Sequence, residues 1–468
     1  MTTATLPTRI AKEAFHIPFG EHPATLARYS NGYTFILVPK SGGVFNISTW
    51  VRTGSIHETD VNSGISHFLE HLMFKGTERF APGVFDREME SMGAIINAAT
   101  WKDFTFYYIT GPNLKVVPEG QVLPFPKALD MHADMMTGAA LPDDEIGPAY
   151  NPETEVPETK RERGVVIEEI GMRDDQPWTK VYNALNTMMY PDGHPYRRDV
   201  IGTRHIVGTI PRDSIVSYHQ QWYNPSQFIT VVVGDFDFDT LESQVLEAFH
   251  KIPAPTGNQN GPTSEGVWQQ WGDCTFPTEE RFATRTSEVT TTFFIQAYHG
   301  PKAANLKDSI ALDVAATVLG GGLSSRFHQT LVEQLDPPEF SFVSCGQYQF
   351  KLGNVFFIQG NVVIPEAKAS IERVQSLMND VLTANPLTEA ECQRVIKKMR
   401  ASFAETSETA SGIADAIGES LTVTDGLDYY LHYMDTLNTL TAADINAAVQ
   451  TYLRSDQAYL SLLEPEEG

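Results

Sequence analysis

GISHFLEHLMFKGT, residues 64–77, decides how this chain is read. His67 and His71 are four residues apart, and Glu70 stands between them in HxxEH order. On an α-helix, positions i and i+4 lie on one face, one turn apart, so both imidazoles can face one ion. Two imidazoles at this spacing suit Zn²⁺, and a carboxylate beside them suits a general base acting on metal-activated water. Phe68, Leu69, Leu72 and Met73 fill the other faces, so the helix is expected to be buried on most sides. A carboxylate buried between two histidines is costly unless a metal or other partners compensate. HxxEH also arises by chance in a chain with 13 histidines, so a third ligand must be found.

A catalytic zinc usually takes three protein ligands and keeps one position open. The candidates lie in ERGVVIEE, residues 162–169. Glu162 and Glu169 are seven apart, two helical turns, and so share a face. Glu168 points about 100° away from Glu169. Val165 and Val166 flank that face and turn it inward. Glu169 is assigned as the third ligand, and Glu162 as a carboxylate that orients a ligand. An exposed acidic helix face is the commoner meaning of such a run, and only the histidine pair upstream outweighs it.

Around these motifs the pattern is α+β. Leu26–Ser30 and Tyr33–Val38 flank Asn31-Gly32, a strong hairpin signal, and Val44–Arg52 continues the β pattern after Ser41-Gly42-Gly43. Helices are expected at Ser63–Lys75, Gly83–Met92, Glu158–Met172, Trp178–Met189, Ile215–Trp222 and Asp239–His250, and strands at Ala94–Ala99, Phe104–Thr110 and Phe228–Val233. The proline-bearing segment 111–157 reads as irregular around one helix near Pro126–Thr137, and PDDEIGPAYNPETEVPE within it as lacking regular structure. Residues 253–272, rich in Pro, Gly, Asn and Gln, read as a linker. After them the element order loosely repeats: strand Thr290–Tyr298, helices Asp308–Leu319 and Ser324–Glu333, strand Asn354–Val363, helices Ala367–Leu382 and Glu389–Glu405, strand Ala458–Leu463. The expectation is two similar α+β halves, each a mainly antiparallel sheet covered by helices: 1–252 with the zinc motif and 273–468 without it.

Composition bounds the function. The 468 residues hold 59 acidic and 34 basic side chains, a formal net charge of −25. Nucleic acids and anionic membrane surfaces need Lys/Arg patches, so neither is an expected partner. No apolar run approaches the 20 or so residues a membrane helix needs, and the N-terminus has no apolar signal core. Three scattered cysteines, Cys274, Cys345 and Cys392, argue against a disulfide framework and for a reducing compartment. A cytoplasmic protein is the expectation.

RTGSIHETDVNSGISHFLEHLMFKGTERF (residues 52–80) resembles the active-site region of the M16, pitrilysin/insulinase-like, metallopeptidases, which include processing peptidases. The likeness extends through GAIINAATWKDFTFYY (93–108), ERGVVIEEIGMRDD (162–175), HPYRRDVIG (194–202) and YNPSQFITVVVGDFD (223–237). It continues more loosely in TTTFFIQAYHGP (290–301) and LGGGLSSRFHQTLVEQ (319–334). The resemblance implies a zinc endopeptidase with one Zn²⁺ per chain. His67, His71 and Glu169 would be ligands, Glu70 the general base and Glu162 the helper carboxylate. Asn97 and Ala98 would lie on an edge strand that pairs with substrate backbone, which makes physical sense because an open edge accepts an extended peptide. It also implies two α+β halves and a homologous partner chain or a homodimer closing around an unstructured peptide.

Two departures stand out. The gap from His71 to Glu169 is longer than the family's, with the added length falling in 111–157. Many relatives also place a substrate-binding Arg and Tyr in the second half, where TLVEQLDPPEFSF (330–342) offers Val332 and Glu339 or Phe340. Arg326 lies too early to match. The expectation that follows is the catalytic subunit of a two-chain enzyme. The alternative is a non-catalytic, structural M16-like subunit.

Overall fold

The computed structural model describes residues 6–249, 267, 270–272 and 274–466, so the linker expected at 253–272 lies largely outside the described residues. Two compact units form. One comprises Met1–Ile170, Asp199–Val267 and Ala404–Leu431, the other Gly171–Arg198, Trp268–Phe403 and His432–Gly468.

The first unit is built on seven strands, β1 (Arg9–Phe15), β2 (Ala24–Tyr29), β3 (Thr34–Pro39), β4 (Val44–Val51), β5 (Ile95–Thr100), β6 (Thr105–Pro112) and β7 (Phe228–Gly234), in the order β1-β2-β3-β7-β4-β6-β5. Only β3 and β7 run parallel. The β2–β3 hairpin turns where Asn31-Gly32 predicts, with Gly32 at φ +85°, a conformation glycine adopts without strain. β7 is buried at every residue, as its FITVVVG run requires of a central strand. Helices Ile65–Met73, Val84–Ser91, Pro124–Gly138, Arg212–Trp222 and Phe238–Ala248 belong to this unit.

The second unit holds β8 (Phe282–Ser287), β9 (Thr292–His299), β10 (Phe340–Tyr348), β11 (Val355–Val362) and β12 (Tyr459–Pro465), in the order β10-β11-β9-β12-β8. β12 pairs parallel to β8 and antiparallel to β9. In the first sheet β7 likewise pairs parallel to β3 and antiparallel to β4. Reading β5-β6-β4-β7-β3 against β10-β11-β9-β12-β8 therefore matches all five strands in order and direction. This is the repeat that element order predicts: an α+β fold of two similar sheets covered by helices.

The sheets fall on either side of residues 253–272, but their covering helices cross over. Pro177–Met189, early in the chain, packs on β8, β9 and β12 of the second sheet. Ala410–Val423, late in the chain, packs on β4 and β7 of the first. Its Gly418 lies against Trp50, where a Cβ would meet the indole at 2.1 Å.

Local readings differ in several places, and helices Ala410–Val423, Asp428–Thr439 and Ala442–Tyr452 carry no expectation from the sequence. The segment PDDEIGPAYNPETEVPE contains a helical turn, Asp143–Ile146. Its three acidic residues sit in the first turn, where the helix dipole favours them. Ser324–Glu333 winds more widely than an α-helix, as a π-helix over His328–Glu333. β1, β8 and β10 carry no expectation from the sequence: the largely exposed β1 and β8 show little apolar alternation.

Candidate metal centre

Helix Ile65–Met73 is fixed before its histidines are. Phe68, Leu69, Leu72 and Met73 are fully buried in the first unit's core. Glu58 accepts from the backbone N–H groups of Gly64 (2.8 Å) and Ser66 (2.9 Å), placing a carboxylate at the positive end of the helix dipole. What remains is the polar row of His67, Glu70 and His71, on a helix held on its other sides.

The facing row comes from helix Arg161–Asp174. Val166, Ile167 and Ile170 bury it, whereas Val165, expected inside, is 52% exposed. Glu168 turns outward to Lys160 (2.7 Å). Arg163 is 1% exposed and donates to the carbonyls of Gly147 and Val207 at 3.4 and 2.5 Å, tying the helix to the end of the turn Asp143–Ile146 and to the short helix Arg204–Thr209 of the same unit.

The rows converge. Nε2 of His67 is 3.8 Å from Oε1 of Glu169, and Nε2 of His71 is 3.5 Å from Oε2. The ligand atoms of His67, His71 and Glu169 all lie within 4.8 Å of one another. Atoms held at about 2.1 Å in a tetrahedron are about 3.4 Å apart, so only a small contraction would close these three on zinc. Glu162 accepts a hydrogen bond from His71 Nδ1 at 2.9 Å, which leaves Nε2 as the atom facing Glu169. Two imidazoles and a carboxylate match the donor preferences of zinc.

Glu70 is close to this cluster, and its Oε2 accepts a hydrogen bond from the Thr100 hydroxyl. Burial raises its pKa, offset in part by that hydrogen bond and the charge of His71. For Glu162, burial acts upward but hydrogen bonds from His71 and Lys75 outweigh it, so its pKa is lowered. For His71, burial acts downward, and hydrogen bonding to Glu162 and Glu169, with the charge of Glu70, raises the pKa to about 9 in the metal-free protein.

Thr100 ends β5, the last strand of its sheet, paired only with β6 among the described residues. Asn97 is exposed and Ala98 half-buried on this strand. The Asn97 side-chain oxygen accepts from the Ala98 N–H at 2.9 Å. That oxygen is thus taken up along the strand, and the NH₂ group of Asn97 is the donor left to offer. Tyr107, on the neighbouring strand β6, is fully buried and hydrogen-bonds Tyr223 at 2.8 Å.

Two residues at the site were not anticipated. Thr100 had no local signal. Lys75 had one: it continues the His67–His71 row by another four residues and pairs with Glu162 at 2.6 Å. In the second unit, Arg326 is committed elsewhere, with Nε and Nη2 each 2.7 Å from Glu391 and contacts to two backbone carbonyls. Glu339 is held by Ser370 and Arg373, and Phe340 is buried.

Residues 40–204 match the family described as insulinase, peptidase family M16, and residues 209–399 that described as peptidase M16 inactive domain. The chain belongs to the M16 peptidase family. Among its relatives are the zinc protease PqqE of Helicobacter pylori, 26% identical over 447 residues covering 93% of this chain and 91% of that protein, and the uncharacterized zinc protease YmxG of Bacillus subtilis, 26% identical over 423 residues covering 90% and 92%. The fold is similar to that of a protease from Helicobacter pylori, with TM-score 0.81 and 24% identity over 98% of this chain and 100% of that one. It is also similar to a peptidase M16 inactive domain from Pseudomonas fluorescens, with TM-score 0.77 and 15% identity over 98% and 99%. No helix among the described residues is long and apolar enough to cross a membrane.

Proposed function

We propose that the chain is a zinc endopeptidase acting on unstructured peptides, with one metal held by His67, His71 and Glu169, and that it is the catalytic subunit of a two-chain M16 enzyme. The observation that carries the reading is the convergence of those three ligand atoms within 4.8 Å, beside the half-buried carboxylate of Glu70, which is not part of the group. When bound, zinc polarises the scissile carbonyl and acidifies water at its open position.

The residues around it have separate tasks. Glu70, tethered at Oε2 by Thr100, takes the proton of the attacking water at Oε1 and returns it to the leaving amine. Its burial-raised pKa brings it nearer neutral pH, where a general base is most effective. Glu162 holds the Nδ1 proton of His71 and so orients a ligand. The open edge of β5, ending at Thr100 beside Glu70, offers backbone groups to an extended peptide. Asn97 and Ala98 lie along that edge.

Arg326 and Glu339 are already engaged within the second unit, which supports a homologous partner, or a second copy, as the source of the missing Arg and Tyr. The inactive-domain match over 209–399 and the M16 inactive domain among the similar folds favour one other reading, a structural subunit that has retired its chemistry. The test is cleavage of an unstructured, Arg-containing peptide before and after chelation and zinc repletion. Chelator-sensitive, zinc-restored cleavage supports the peptidase. Cleavage by the chain alone at the rate of a self-sufficient enzyme removes the need for a different partner. A zinc-loaded chain that cuts nothing with or without its partner would establish the structural subunit.

A further inference from the structure

The FKGTERF segment that follows the two histidines (residues 74–80) is built as a holder. Lys75 continues the row of His67 and His71 past the end of the helix, with its N–H on the Leu72 carbonyl at 3.0 Å. Gly76 then turns the chain at φ +96°, and a Cβ there would meet the Phe80 carbonyl at 2.8 Å. Only glycine suits that turn. Thr77 donates to Asp134 at 2.5 Å and accepts from the N–H groups of Arg79 (3.1 Å) and Phe80 (3.0 Å). Arg79 pairs with Asp130 through both terminal nitrogens. The chain just beyond Lys75 is thus pinned to helix Pro124–Gly138, which fixes where the Lys75 stem starts.

From there Lys75 reaches Glu162. Its Nζ is 2.6 Å from Oε2 of Glu162, while Oε1 accepts from His71 Nδ1 at 2.9 Å. The two oxygens are divided between a cation and an imidazole, and the Glu162 side chain is only 10% exposed. A carboxylate this enclosed can turn only if a partner lets go, and Lys75 is the partner outside the metal cluster.

We propose that Lys75 is a positioning residue of the metal centre: its ion pair locks Glu162 in the orientation that accepts the His71 Nδ1 proton, and so presents the His71 Nε2 lone pair to the ion. This rests on the assignment of His67, His71 and Glu169 as ligands. It adds a third tier to the site, in which Lys75 sets Glu162, Glu162 sets His71, and His71 binds. Partners behind a ligand histidine typically change metal affinity by 10–100-fold, and Lys75, one step further out, belongs at the lower end.

The experiment measures zinc affinity by competition with a chromophoric chelator for wild type, Lys75→Met, Lys75→Arg, Glu162→Gln and the Lys75→Met/Glu162→Gln double variant, with ¹⁵N NMR of the metal-free His71 ring alongside, recorded at a pH above about 9 where the ring is neutral and has a tautomer to report. Lys75→Met is expected to weaken zinc binding about tenfold and to shift His71 away from the Nδ1–H tautomer, and Lys75→Arg to recover most of both. In the Glu162→Gln background, Lys75→Met should cost nothing further, because coupled groups are not additive. Wild-type affinity and an unchanged His71 tautomer in Lys75→Met would overturn the inference while leaving the metal site intact. Additive losses in the double variant would also overturn it, since Lys75 would then act by another route. If wild type itself binds no zinc, the ligand assignment fails and the inference with it.

Discussion

Zinc binding should expel a proton, and His71 sets the amount. In the metal-free protein, hydrogen bonding to Glu162 and Glu169 with the nearby charge of Glu70 outweighs burial and lifts His71 to about 9. At pH 7 the ring is then almost entirely imidazolium, with no lone pair on Nε2. Binding must deprotonate it, at a cost of about two pKa units, or roughly 3 kcal/mol at about 1.36 kcal/mol per unit. A histidine at the ordinary value would cost almost nothing at that pH. The sign is fixed by linkage: protons compete with the metal below the raised pKa, so affinity rises with pH through neutrality. Calorimetry at pH 7 in buffers of differing ionisation enthalpy should register about one proton released per zinc. The apparent dissociation constant should fall about tenfold from pH 7 to pH 8. Glu162→Gln should reduce the proton release while weakening binding. A constant that is flat across this range, with no buffer-dependent heat, would refute the argument.

Two further outcomes concern the scaffold. Gly418→Ala places a Cβ 2.1 Å from the buried Trp50 ring, which is also stacked on Phe106 at 4.2 Å. The variant should lose about 2 kcal/mol by overpacking, read as a lower denaturant midpoint, and an unchanged midpoint would show that helix Ala410–Val423 does not seat as described. The Arg326 guanidinium, acting against burial, holds Glu391 down to about 2, so its stabilisation is full above about pH 4.5 and is lost as pH falls towards 2. After allowance for partial exposure this is about 1–2 kcal/mol. Arg326→Met should be less stable at pH 7 and should lose part of the acid sensitivity, and equal acid sensitivity in both proteins would contradict it.

What could be read in advance follows how local each signal is. HxxEH and the Glu162–Glu169 spacing are periodicities within single helices, so the faces they present were legible. Their meeting also required buried residues on each helix, and there Val165 misled because a single apolar side chain within a helix can face outward at little cost. Thr100 touches Glu70 across thirty residues of sequence, through a strand edge that no local pattern announces. Lys75 was visible as the next member of the histidine row, but its partner was not. The central strands β4, β7 and β9 declared themselves through apolar runs, while β1 and β8 did not. The crossing of Pro177–Met189 and Ala410–Val423 between the sheets had no trace in the sequence, because an amphipathic helix does not encode which sheet it will cover.

The central claim is that Glu70 moves the proton while its neighbours hold the metal. It is tested most directly by measuring zinc content and peptide turnover of Glu70→Gln beside wild type, in the assembly that shows activity. The account predicts one zinc per chain in both proteins and a fall in turnover of about 10²–10⁴-fold in the variant, the usual worth of a positioned general base. A variant that cuts at the wild-type rate, or one that loses its zinc with its activity, would contradict the division of labour.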